Sequence, residues 1–197
     1  SGAGKSTYIH ALLSDVDSYF AGPIKRILYF HTSLRDNSML LNPTIELRTD
    51  DPVNIVRELE SGSSLDDSLI ILDDALQHAK NNAITTLFNR LSNHHRDTVL
   101  LVTQAAFGGP VLRSVLQNCT DLILFRHSTD PASVSILSSR LFPSKPAFLG
   151  DALRQIATKT PFSPLHVRTR ANFPVDQLRV FSGFLKGISS GFIDYAS

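Results

Sequence analysis

Ser1-Gly2-Ala3-Gly4-Lys5-Ser6-Thr7 is the stretch whose reading decides the fold. It carries the closing half of the pattern G-x-x-x-x-G-K-[ST], in which a glycine-rich loop opens a helix. With Gly4 as the second glycine, the first falls two residues before Ser1, so a hydrophobic strand ending in glycine is expected upstream. The physics of such a loop is specific. Gly2 and Gly4 let backbone N–H groups close around phosphate oxygens, and the following helix offers its positive end. Lys5 then reaches the β/γ-phosphates, Ser6 holds Mg²⁺, and Ser1, Ala3 and Thr7 complete the cradle. The expected cofactors are ATP and Mg²⁺.

The chain has 197 residues, 42% hydrophobic and 19% charged, which suits one α/β domain over 1–182 followed by a loose Gly/Ser-rich tail over 183–197. No uninterrupted apolar run approaches the roughly 18 residues of a membrane span, and no membrane partner is expected. The sequence begins without Met and without a signal-peptide pattern, and so reads as a piece of a longer chain. Its single cysteine, Cys119, rules out an internal disulfide and fits a reducing, intracellular compartment. Placed among apolar residues before a strand, Cys119 reads as packing rather than as a reactive thiol. The net charge of +1 hides an asymmetry. Residues 1–139 hold 11 basic and 15 acidic side chains, a balance of −4, whereas 140–186 reach +6 with only Asp151 and Asp176 as acids. That basic stretch suits either a nucleic-acid-facing surface or contacts to an acidic neighbouring subunit.

Apolar runs bounded by turn signals alternate with helical patterns, which predicts a parallel sheet covered by helices on both faces. Helices are expected over 7–14, 52–59, 75–93, 110–117, 131–141 and 151–157. The second should be capped by Asp51 with Pro52 in its first turn. Strands are expected over 24–30, 44–48, 68–72, 98–102 and 121–125, with a final one over 164–167.

Two of those strands end in chemistry. Ile70-Ile71-Leu72-Asp73-Asp74 is a hydrophobic strand closing on two acids, which places them at the carboxyl edge of the sheet, where the phosphate loop also belongs. Asp73 is expected to bind Mg²⁺ through water and Asp74 to polarise the attacking water; the plain alternative is that the pair caps a helix. After the next buried strand comes Val102-Thr103-Gln104. The Gln104 amide both donates and accepts, so it can reach a γ-phosphate or the lytic water and report hydrolysis.

Together, Ser-Gly-Ala-Gly-Lys-Ser, the acid-pair strand, and Asn93-His94-His95-Arg96-Asp97-Thr98-Val99-Leu100-Leu101-Val102-Thr103-Gln104 resemble the FtsK/HerA group of P-loop ATPases. Within that group the likeness is to the viral genome-packaging ATPases of poxvirus-like, adenovirus-like and polinton-type elements. Leu122-Ile123-Leu124-Phe125-Arg126 and the segment 157–167 extend it over nearly the whole chain. The resemblance implies a doubly wound, mainly parallel P-loop sheet with a strand inserted between the phosphate-loop strand and the acid-pair strand. It also implies ATP hydrolysis, a homo-oligomeric ring, double-stranded DNA as cargo and a capsid or portal-type vertex protein as partner. Placement is then in the host cytoplasm or nucleus, or with the virion. An arginine acting across the subunit boundary is part of that picture, and here it is Arg96 or Arg90, ahead of Arg126 and Arg140. The chain departs from the family's Gly-Arg-His at this point, and its Asp-Asp pair replaces the Asp-Glu of the FtsK branch. Two readings stand beside it: a cellular AAA-type or helicase-like motor, and a degenerate copy that binds nucleotide without hydrolysing it. His94-His95 lacks ligand-spaced partners and reads as a polar helix end.

Overall fold

The computed structural model describes residues 4–20, 22–31, 44–61, 67–75, 83–94, 97–104, 109–125, 130–159, 163–169 and 180–182. Its elements run α1 (Lys5–Ser14), a 3₁₀ turn (Val16–Ser18), β1 (Arg26–His31), β2 (Ile45–Arg48), α2 (Val53–Glu60), β3 (Ser68–Asp73), α3 (Ala83–His94), β4 (Thr98–Val102), α4 (Gly109–Asn118), β5 (Asp121–Leu124), α5 (Pro131–Leu141), α6 (Phe148–Lys159), β6 (Leu165–Arg168) and β7 (Val180–Ser182). They fall into two units. One comprises His10–Gln104 and Gly108–Asn118, the other Ser1–Ile9, Ala105–Phe107 and Cys119–Ser197.

The first unit is built on a four-stranded sheet in the order β2-β1-β3-β4, with every neighbouring pair parallel. β3 lies inside it and is covered on both faces, which is why its sequence is an unbroken apolar run rather than an alternating one. Leu69, Ile70, Ile71 and Leu72 are all fully buried, each contributing roughly 1.5–3 kcal/mol relative to exposure. Ile84, Leu87 and Phe88 of α3 and Leu112 and Val115 of α4 are buried as well. The last two lie three apart, one face of a helix.

α2 starts as expected. The Asp51 carboxylate accepts from the Val53 backbone N–H at 2.9 Å, satisfying one of the donors a helix N-terminus leaves over. Next to it, Arg48 on β2 gathers Asp50, Glu46 and Glu58 around its guanidinium, which also lies over the Phe30 ring at 5.5 Å from its centroid. β4, at the opposite edge of the sheet, is half-buried along its whole length.

The second unit carries a three-stranded sheet, β5-β6-β7, antiparallel throughout. The strand expected over 164–167 is β6, but it is not the final strand. β7 follows, and its three residues are too few to show a period. The expectation of parallel pairing therefore holds for the first unit only. In the second, α5 and α6 lie between β5 and β6 in sequence, and the returning strand pairs head to tail.

The core here joins Leu124, Val134, Leu137, Phe142, Phe148, Leu149, Leu165, Val167 and Val180. The Phe142 and Phe148 rings meet edge to face at 5.0 Å, a favoured geometry. α6 begins at Phe148, three residues before the expected start, because Phe148, Leu149, Ala152, Leu153 and Ile156 form its buried stripe. Pro146 just upstream was the unread signal. α5 starts under Asp130, whose carboxylate accepts from the N–H groups of Ala132 and Ser133. Of the helix expected over 75–93, residues 76–82 lie outside the described set, as does the tail over 183–197.

Candidate functional site

Asp73 is the last residue of β3 and lies in register with His31 on β1 and Val102 on β4. Tyr29 is in register with Ile71, two residues earlier. Side chains alternate with a period of two, so Tyr29 and Asp73 share a face of the sheet, and a long side chain leaning along its strand can span the offset. It does so. The Tyr29 phenol O–H donates to Asp73 Oδ2 at 2.9 Å. Tyr29 is buried, and burial, followed by the charge of Asp73 and this bond, pushes its phenol far above the ordinary tyrosine range. It therefore stays a neutral donor at every physiological pH.

The chain turns sharply after Asp73. Asp74 takes φ 54°, in the left-handed region that only short polar residues and glycine visit readily. Its backbone N–H donates to the Val102 carbonyl at 3.2 Å. Its carboxylate oxygen Oδ2 accepts from the Gln104 amide at 3.3 Å. The two strand ends singled out by sequence thus meet directly, with Asp74 half-buried and Gln104 exposed.

In the second unit, Gly4 has φ 90° and its carbonyl accepts from the Tyr8 N–H at 2.9 Å, closing the first turn of α1. Lys5 Nζ is buried and has no hydrogen-bond partner among the described residues. An ammonium group taken out of water without a partner is costly. The first turn of α1 holds no acidic side chain that would occupy the helix's positive end. A buried cation at an acid-free helix start fits a phosphate-bearing ligand. Ser6 and Thr7 are exposed. Tyr8 is held by Phe125, ring centroids 6.0 Å apart, and by His166 at 5.8 Å.

Among the described residues no group of three or more His, Cys, Asp or Glu side chains could enclose a metal ion. Compared with protein-family models, curated proteins and solved structures, the chain matches none.

Several residues singled out in the sequence lie outside the described set: Ser1, Gly2, Ala3, Arg96, Arg126 and His95. Arg90 belongs to α3, but its side chain is not among those described. Arg140 is exposed in the last turn of α5. Within the basic stretch, Arg154 pairs with Asp151 and the Arg168 guanidinium lies 4.9 Å from the Phe181 ring centroid.

Sequence reading missed Tyr29. The available signal was a hydroxyl-bearing residue inside the otherwise apolar run Ile27-Leu28-Tyr29-Phe30, where a buried O–H demands an acceptor.

Proposed function

We propose that the protein is a P-loop ATPase whose hydrolysis drives double-stranded DNA, as the motor of a viral or virus-like genome-packaging machine. The observation that carries this reading is the meeting of Asp73, Asp74 and Gln104 at the carboxyl ends of two adjacent parallel strands, with Gln104 Nε2 3.3 Å from Asp74. The position of β4 beside β3 supports a sheet of the strand-inserted, doubly wound type, because it sets the polar residue after β4 next to the acid pair. Lys5 Nζ, buried and without a hydrogen-bond partner among the described residues, supports a phosphate ligand.

In this reading Gly4, Lys5, Ser6 and Thr7 bind the triphosphate, together with Ser1, Gly2 and Ala3. Lys5 offsets charge on the β/γ-phosphates. Ser6 and Asp73 would hold Mg²⁺, which neutralises charge on the phosphate oxygens as it develops. Asp74 accepts the proton of the attacking water while the bond from the γ-phosphorus to ADP breaks. Gln104 orients that water and exchanges its bond to Asp74 as the phosphate leaves. An arginine from a neighbouring subunit of the ring, Arg96 or Arg90, stabilises the transition state. The basic balance over 140–186 suits DNA phosphates, which a motor that moves any sequence must grip in preference to base edges.

The test is ATP turnover by the full-length protein, with and without duplex DNA, across a salt series. Expected are stimulation by unrelated duplexes alike, a steep loss with salt, and no turnover from Lys5→Ala. Turnover that no DNA stimulates at low salt removes the translocase. Absence of turnover from the intact protein leaves a nucleotide-binding copy.

A further inference from the structure

The acid pair is not held by its own loop alone. Asp73 closes β3, and the hydroxyl that reaches it comes from a different strand, buried in the sheet two residues before the end of β1. A carboxylate on a strand end can rotate about its last bonds, and each rotation presents a different oxygen to an incoming metal-bound water. The O–H of Tyr29, donated to Oδ2 at 2.9 Å from a fully packed ring, removes that freedom.

We propose that Tyr29 is a positioning residue for Asp73, fixing the carboxylate that receives magnesium-bound water. This rests on the reading of Asp73 as the metal-side acid. The assignment is specific. Tyr29, on β1, donates to Asp73, while Gln104, two residues past the end of β4, donates to Asp74, so each acid of the pair meets a donor from a different neighbouring segment. Metal affinity and water activation are thereby tuned separately: Tyr29 affects the first and Gln104 the second.

The experiment uses the full-length protein with a non-hydrolysable ATP analogue and Mn²⁺, whose bound fraction is read by electron paramagnetic resonance without any turnover. Four forms are titrated: wild type, Tyr29→Phe, Asp73→Asn and the double variant. Loss of an orienting partner behind a direct metal ligand weakens metal binding by about 10-fold or more, so behind a carboxylate that meets the metal through water the loss should be about 10-fold at most. Tyr29→Phe should show that loss, with analogue binding in EDTA unchanged, and should add nothing once Asp73 is Asn. Mn²⁺ curves of Tyr29→Phe and wild type that superimpose would overturn the proposal, as would an equal loss in the Asp73→Asn background. A wild type that binds no Mn²⁺ with the analogue, or an Asp73→Asn that binds it normally, overturns the metal reading of Asp73 and the role of Tyr29 with it. A second measurement is independent of the stability of Tyr29→Phe. Ultraviolet resonance Raman spectra should show a tyrosine donor band changing when Mn²⁺ and analogue are added. An unchanged tyrosine spectrum overturns the proposal.

Discussion

Asp67 and Asp74 flank β3, and both occupy the left-handed region, at φ 65° and 54°. At the entrance, Asp67 is buried, its carboxylate ion-pairs with Lys25 at 2.7 Å, and its carbonyl accepts from the Lys25 N–H at 2.9 Å. The next residue, Ser68, donates its N–H to Asp97 Oδ1 at 2.9 Å. At the exit, Asp74 is half-buried and its side-chain bond to Gln104 is long and involves an exposed, neutral partner. The same unfavourable backbone conformation is thus closed by short, charge-assisted contacts at one end and by an exchangeable one at the other. β3 is anchored at its entrance by a buried carboxylate and presents at its exit a half-buried one whose side-chain contact is to an exposed amide.

The sharpest way to break this comparison is to neutralise each aspartate in turn. Asp74→Asn keeps the side chain's size and its tolerance of positive φ, but it cannot take a proton. Turnover should fall by about 10²–10⁴-fold while Mg-ATP binding and the unfolding midpoint stay put. A wild-type rate would leave Asp74 as a turn residue only. Asp67→Ala should do the reverse, lowering stability by about 1–3 kcal/mol in denaturant unfolding with turnover per folded molecule unchanged. Loss of turnover in that variant would show that the entrance is not merely structural. Asp67→Gly sharpens the point, since it loses the same carboxylate without forcing a Cβ into the left-handed region. It should be about 1 kcal/mol less damaging than Asp67→Ala.

The smallest effect separates these aspartates from the acids of the β2 edge. The Arg26 hydrogen bond, with further help from Arg48, lowers the Glu46 pKa, and the Arg48 bond lowers that of Asp50. A depressed folded pKa adds stability above the group's ordinary value and loses it as pH falls through the folded one. Unfolding free energy should therefore decline from pH 5 towards pH 3, and Arg48→Met should flatten that decline. Because these side chains are partly exposed, the Arg48-dependent share should stay below about 1 kcal/mol. Identical pH profiles for Arg48→Met and wild type would put the acid sensitivity elsewhere.

Most strands and helices were legible because burial dictates period: Ile70 to Leu72 could only be a covered strand, with Asp73 and Asp74 at its end, whereas the equally apolar Val99 to Val102, expected to be buried, is half-buried at the sheet edge with Gln104 two residues beyond it. What could not be read depended on register or brevity. Tyr29 meets Asp73 only through the offset between β1 and β3, which no linear pattern encodes. β7 is three residues long, and the antiparallel return of β6 shares its alternation with a parallel one. The αL turn at Asp74 was likewise hidden, because aspartate serves equally as a helix cap. Lys5 was legible as a residue type, and the burial of its Nζ without a partner among the described residues came only with the structure.

Cys119, the chain's single cysteine, has its thiol pushed up to about 11, chiefly by burial. At neutral pH its thiolate fraction is roughly 10⁻⁴, far below that of an ordinary exposed cysteine. Maleimide reagents would thus pass it over in favour of a cysteine introduced at an exposed position such as Gln117 or Arg140. A fluorophore carried by such an introduced cysteine would therefore report on its own position, with little labelling of Cys119 beside it.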